Sequence, residues 1–291
     1  MIIVRLKGGM GNQMFQYALG IKLAEELNTA FKLDLSSLLD RSKGEFVYRN
    51  YDLSIFKVND SLLMGEGFLK TIYKPKIPRI TKMVRQYINK GKIFIKEKYF
   101  HFEPDLILNP TDNAIYEGWF QSPKYFEGVE DKIRKEFQFK SSILASSQPL
   151  LNKIKNTNAI CLNVRRTDFL KVDTLNTTDK NYFFRAAKYI AEKIENPVFY
   201  IFSDDVEWCR KNIVMNYPVE VIGHEHKGHK FGNYMQLMIA CKHFIIPNSS
   251  YAWWAVWLNG QDEKIVVAPK KWFNDSEINT TDLVPQDWVR L

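Results

Sequence analysis

The sequence predicts an α/β protein: two facing Rossmann-like domains, each a parallel sheet covered by helices, with a cleft between them. Three observations carry this. Short β-branched runs alternate with helix-period segments along the chain, the pattern of parallel sheets covered on both faces. The alternation starts afresh near residue 159. The length of 291 residues suits two domains of about 150. The expected division is 1–156 and 157–291, at the stretch Asn156-Thr157-Asn158.

Residues 2–6, I-I-V-R-L, form a first strand, and Lys7-Gly8-Gly9-Met10-Gly11 a tight turn. A helix over 12–28 carries Phe15, Ala18, Leu19, Leu23 and Leu27 on one stripe, and 31–35 is a second strand. This strand, glycine loop, helix, strand unit opens a Rossmann-type layer. Its glycines leave backbone N–H groups bare at a helix start, where an anion or a polar sugar can approach. The spacing G-G-M-G-N-Q is neither G-x-G-x-x-G nor a P-loop, so a turn required by sterics explains it equally well. Residues 96–102 and 114–119 read as strands. Ser122-Pro123 starts a helix running to 137, and another covers 142–155.

The second half repeats this grammar. Strands at 159–164, 198–202, 219–222, 244–246 and 264–268 alternate with helices at 179–195, after Asp205, at 233–241, and from Ser250 to 258. No internal repeat or low-complexity segment is present.

The totals describe an ordinary globular protein, 45% hydrophobic and 25% charged. No apolar run reaches the roughly 18–20 residues that span a bilayer, and the amino terminus reads as a strand, with no signal-peptide pattern. Cys161, Cys209 and Cys241 are scattered in apolar settings. They show no disulfide framework or metal spacing, which points to a reducing compartment and a cytoplasmic protein. The net charge of +8 is concentrated: positions 70, 74, 76, 79, 82, 85, 90, 92, 96 and 98 are all Lys or Arg, against one acid, Glu97. Such a segment suits the anionic inner face of a membrane, touched peripherally, or a phosphate-bearing partner. No nucleic-acid module accompanies it, and a solvated helix face explains it as well.

Three loops at strand carboxyl ends, where open α/β sheets bind ligands, carry the chemistry. They are Arg165-Arg166-Thr167-Asp168, Ser203-Asp204-Asp205 and Asn248-Ser249-Ser250. Asp168 alone cannot neutralise two guanidinium groups. They await a di-anion or a phosphate chain, gripped in planar, bidentate fashion; an Arg-Asp ion-pair network is the competing reading. Ser203, Ser249 and Ser250 can serve phosphates or simply cap helices. The adjacent Asp204 and Asp205 are not a D-x-D pair, so a protein-held Mg²⁺ is not suggested. Arginine then stabilises the leaving charge. His224, His226 and His229 lack metalloprotease spacing and read as a loop. Trp253, Trp254 and Trp257 read as core packing ahead of sugar stacking.

With these residues in view, the chain resembles the bacterial α-1,2-fucosyltransferases of glycosyltransferase family 11 nearly end to end. G-G-M-G-N-Q-M-F-Q-Y-A at 8–18, V-R-R-T-D-F at 164–169, F-S-D-D at 202–205, C-K-H-F-I-I-P-N-S-S-Y-A-W-W-A at 241–255 and A-P-K-K-W-F at 268–273 match its motifs in order. The resemblance implies a GT-B-like architecture, with an acceptor-side amino-terminal domain and a GDP-sugar-binding carboxyl-terminal one. It implies GDP-fucose as donor, no metal or other cofactor, inversion, and a galactose-type acceptor on an oligosaccharide or lipid-linked glycan of O-antigen or capsule type. It assigns the diphosphate to Arg165 and Arg166, guanine to Asp205, and the neighbourhood of the diphosphate to Ser249 and Ser250. Gly9, Gly11, Asn12, Asn163, Ser203, Asp204 and Asn248 complete the expected binding set. Asp168 and Asp173 are the nearest candidates for general base. One departure stands out: the family's histidine two residues before the first arginine is Asn163 here. An amide hydrogen bonds but carries no charge. Transfer from another nucleotide sugar, and a catalytically silent binding protein, remain open at this point.

Overall fold

The computed structural model describes residues 1–40, 49–64 and 86–291. The chain divides into two compact units. One is Met1–Lys140 with Ile278–Leu283; the other is Ser141–Glu277 with Val284–Leu291. The division falls between 140 and 141, ahead of the expected 156/157. The helix Gln148–Lys155 explains the difference, because its buried Leu150 and Ile154 place it with the strand that follows it.

Among the described residues the first unit holds a four-stranded parallel sheet. Its strands are β1 (Ile2–Arg5), β2 (Phe31–Asp34), β3 (Ile93–Lys96) and β4 (Ala114–Glu117), in the order β2-β1-β4-β3. The helix Met10–Glu26 is buried on most sides, with Met14, Phe15, Ala18, Leu19 and Leu23 at 1% exposure or less. It is therefore buried nearly all round until its last turn, where Glu25 and Glu26 are exposed. The predicted strand 96–102 lies instead at Ile93–Lys96, where Ile93 pairs with Ala114 and Lys96 with Glu117. The single helix expected over 122–137 is two elements, a 3₁₀ turn Pro123–Phe126 and a helix Glu130–Glu136. Gly128, at φ +87°, turns the chain between them.

The second unit holds six parallel strands. They are β5 (Asn158–Val164), β6 (Pro197–Ser203), β7 (Val219–Val221), β8 (His243–Ile245), β9 (Val266–Ala268) and β10 (Val289–Arg290), in the order β10-β9-β8-β5-β6-β7. β5 is the central strand, buried from Ala159 to Val164. The strand order reverses beside it, with β6 on one side and β8 on the other. That makes its carboxyl end the switch point at which such sheets hold ligands. The helices Lys180–Ala191, Val206–Asn212, Gly232–Ile239 and Ser250–Leu258 cover the sheet. Trp253 and Trp254 are fully buried and meet edge to face at 5.2 Å, which is core packing. All three cysteines are buried and free.

Candidate active site

Parallel register places the arginine loop beside the Ser-Asp-Asp loop, because Val164 at the end of β5 pairs with Ser203 at the end of β6. Arg165 Nη2 donates to Asp168 at 2.7 Å, and its Nη1 lies 3.2 Å from Asp204. Arg166 Nε donates to Asp205 at 3.3 Å, and the guanidinium sits 3.7 Å from the centroid of the Trp208 ring. Asp204 also accepts the backbone N–H groups of Arg166 at 2.9 Å and Thr167 at 3.2 Å, together with the Thr167 hydroxyl. Asp205 caps the helix Val206–Asn212 by accepting from Trp208 N at 3.1 Å, and Ser203 Oγ accepts from Asp205 N at 2.9 Å.

Asp168 does not stand alone against two guanidinium groups, and the Arg-Asp ion-pair network offered by the sequence as the competing reading is present. Asp204 and Asp205 reach them from the neighbouring strand. Yet the pairs are not sealed: the arginine side chains are 27% and 22% exposed. A guanidinium has five N–H donors, so the network leaves donors at the surface that an anion can engage or compete for.

Asn163 is buried and donates from Nδ2 to Phe202 O at 3.1 Å, tying β5 to β6. β8 flanks β5 on its other side, so Asn248-Ser249-Ser250 opens on the same edge. Asn248 Nδ2 donates to Leu175 O at 2.9 Å and Trp272 O at 2.8 Å, while its Oδ1 is buried with no hydrogen-bond partner among the described residues. Ser249 holds the N-cap position of Ser250–Leu258, but its side chain makes no capping hydrogen bond. The helix-capping reading of Ser249 is thus corrected. Burial pushes the Tyr251 phenol well up, and the charge of Arg165 opposes that shift, so the helix start lies within electrostatic reach of the arginine loop. Asp173 is exposed, and its carbonyl accepts from Asn274 Nδ2 at 2.8 Å.

Beside Asp204 and Asp205 lies an open hollow of about 380 Å³, lined also by Glu207, Arg210, His224 and Glu225. His224 Nε2 lies 3.2 Å from Ser203 O, and His226 Nδ1 lies 2.9 Å from Ser147 Oγ. These two histidines are thus engaged separately with protein atoms. Sequence reasoning missed Trp208, and it named Thr167 and His224 without the contacts that they make here. Only the β5–β6 register brings Trp208 and Thr167 to the arginine loop.

Gly9, Gly11 and Asn12 belong to the first unit. Gly8, at φ +76°, makes the turn after β1, and a Cβ there would meet the Trp119 ring at 2.9 Å. Gln121 Nε2 donates to Asn12 Oδ1 at 2.6 Å. Gln13 braces the turn from below, donating to Gly8 O and Asn50 O at 2.9 and 2.8 Å and accepting from Asp52 N at 2.9 Å.

Comparison with known proteins places this α/β chain, with arginines at a sheet switch point, among the glycosyltransferases of GT-B-like fold. Within that class it belongs to glycosyl transferase family 11, whose model matches residues 1–291. It is 32% identical over 305 residues to an α-1,2-colitosyltransferase of Escherichia coli, covering 100% of this chain and 98% of that one. It is 28% identical over 302 residues to the O-antigen biosynthesis glycosyltransferase WbnK of Escherichia coli, covering 98% and 99%. The fold is similar to that of NodZ α-1,6-fucosyltransferase co-crystallised with GDP, at TM-score 0.51 and 13% identity over 88% of this chain and 91% of that chain.

Proposed function

We propose that this enzyme transfers L-fucose from GDP-fucose to the 2-hydroxyl of a galactose-type acceptor, with inversion and without a metal ion, in O-antigen or capsule synthesis. The observation that carries the reading is the partly exposed arginine pair at the β5 switch point, beside a helix start that the Ser249 side chain does not cap. In the step, the acceptor oxygen bonds to the anomeric carbon as the bond to the phosphate oxygen breaks. The electron pair leaves with GDP, where Arg165 and Arg166 stabilise it, helped by the positive end of the helix Ser250–Leu258. The acceptor proton goes to a carboxylate. Asp168 is held by Arg165, so the exposed Asp173 is the better placed of the two candidates. Asp205 and the adjoining hollow would receive guanine. Asn163 donates one amide N–H to Phe202 O, which leaves its second N–H and its oxygen for the donor.

The 32% identity to a colitosyltransferase favours one second reading, colitose in place of fucose. A donor-by-acceptor panel with mass spectrometry decides: GDP-fucose, GDP-colitose, UDP-sugars and ADP-sugars, each with lactose and lipid-linked galactosides. Product from GDP-fucose and lactose, one deoxyhexose heavier, supports the proposal; product from GDP-colitose alone replaces it with the second reading.

Peripheral contact with the inner membrane face belongs to the same proposal. Of the basic positions, 70, 74, 76, 79, 82 and 85 lie outside the described residues, while Lys90, Lys92, Lys96 and Lys98 lie within them. No helix among the described residues is long and apolar enough to cross a membrane. Absence of binding to anionic vesicles at low salt would remove the membrane contact.

A further inference from the structure

Lys7 follows β1 and opens the glycine turn. Its backbone N–H donates to Gln16 Oε1 at 3.0 Å, so its main chain is fixed. Its ammonium sits 4.2 Å from the centroid of the Trp119 ring. Among the described residues it makes no hydrogen bond or ion pair. Burial pulls its pKa down, against the pull of Glu117 and Glu97. An ammonium has three donors, and leaving them without acceptors in a half-buried place is costly unless water or a ligand completes them.

Glu97, just past the end of β3, has the opposite character. It accepts the backbone N–H groups of Trp119 at 2.5 Å and Phe120 at 3.0 Å, which fixes the carboxylate against the turn after β4. It forms no ion pair among the described residues, and burial pushes its pKa up to about 7. Lys7, Glu97 and Trp119 thus stand together at the carboxyl ends of β1, β3 and β4, the ligand edge of a parallel sheet.

The charges argue about the ligand. Glu97 stands beside Lys7, while Lys96 and the Arg5–Glu117 pair at 2.7 Å lie near, so charges of both signs meet at this spot. It offers ammonium donors, a fixed acceptor and an indole. That set matches a neutral saccharide, with hydroxyls for the polar groups and a C–H face for the ring.

We propose that Lys7, Glu97 and Trp119 form a subsite for a sugar ring of the acceptor, with Lys7 donating to its hydroxyls and Glu97 accepting from them. This rests on the glycosyl-transfer reading but not on which sugar is transferred. Lys7→Met tests it, because methionine keeps the contact with Trp119 and removes the donors. The chain is probed on a glycan array, which needs no turnover, and GDP affinity is measured by calorimetry. The expected result is wild-type signal on a defined set of glycans, at least tenfold weaker in Lys7→Met, with GDP affinity and melting temperature unchanged. Glu97→Gln, read the same way, should also weaken the signal. Equal signal in wild type and Lys7→Met, no wild-type signal, or a fall in GDP affinity matching the loss of glycan binding would each overturn the subsite. Failure of the transfer reading shows separately, as wild-type enzyme that turns over no donor in the panel.

Discussion

Replacing Arg166 with alanine separates what the residue does for the fold from what it does for the reaction. In the folded chain its guanidinium makes a 3.3 Å contact with Asp205 and packs over Trp208. The ion pair is partly exposed, so it contributes only about 0.2–1 kcal/mol after solvent screening. The stacking adds roughly 0.5–1 kcal/mol. A loss of about 1–2 kcal/mol lowers the melting temperature by roughly 2–8 °C in a protein of this size. Transition-state stabilisation is on another scale, since deleting one donor to a developing oxyanion costs about 10²–10³ in kcat. Arg166→Ala is therefore expected to remain folded, to lose two to three orders of magnitude in kcat/KM, and to bind GDP more weakly. Stopped-flow or endpoint transfer assays alongside calorimetric melting read both effects. Arg166→Lys should recover only part of the loss, because an ammonium keeps the charge but not the planar fork. Turnover close to wild type in Arg166→Ala would show that the arginine belongs to an internal ion-pair network and to nothing else.

Transfer should proceed at full rate in excess EDTA; activity that disappears and returns with added Mn²⁺ would refute the metal-free reading. Asp204→Ala removes acceptors from Arg165, Thr167 and the backbone of Arg166, and should cost about 2–3 kcal/mol in urea unfolding together with most GDP affinity; retained affinity would show that the loop holds its shape without it. Gln13→Ala removes the side-chain bonds to Gly8 O, Asn50 O and Asp52 N, and should destabilise by a similar amount, about 2–3 kcal/mol, which equilibrium unfolding measures. Because the Glu97 pKa is raised to about 7, the native state binds the proton more tightly than the unfolded chain. Its contribution is full below the ordinary carboxylate range and is lost as pH rises toward 7. Urea midpoints from pH 4.5 to 8 should therefore fall more for the wild type than for Glu97→Gln; parallel curves would contradict that shift.

The α/β class was legible because most strands are short apolar runs bounded by polar turns, and the central strand, A-I-C-L-N-V, was placed nearly to the residue. The strand in K-I-F-I-K-E-K-Y-F-H-F was not. The run has two apolar stretches without a turn signal between them, and only pairing with β4 selects Ile93–Lys96. The helix over 122–137 was drawn through Gly128, a stop signal that its positive φ makes plain in space. β10 has two residues, too few for any periodic pattern. In the candidate site, the Arg165–Asp168 pair is readable from spacing alone. The turn of Asp204 and Asp205 onto both arginines depends on the register of two strands nearly forty residues apart, and no local rule contains it. Lys7 and Glu97 escaped for the same reason, since neither lies in a motif that names a partner.

The tail of the chain visits both units: Ile278–Leu283 packs with the first, and Val284–Leu291 with the second. Asp282 accepts from Phe102 N at 3.2 Å and pairs with Lys124, while Leu291 N donates to Ala268 O at 3.1 Å. A gene cut at the 140/141 boundary would thus yield an amino-terminal piece with Phe102 and Lys124 missing their carboxylate partner. To produce that piece as a self-standing fragment, the hexapeptide around Asp282 has to be grafted back on. Trimming the last dozen residues, a routine step in preparing shorter versions, would strip an edge strand from one sheet and an anchoring carboxylate from the other half at once.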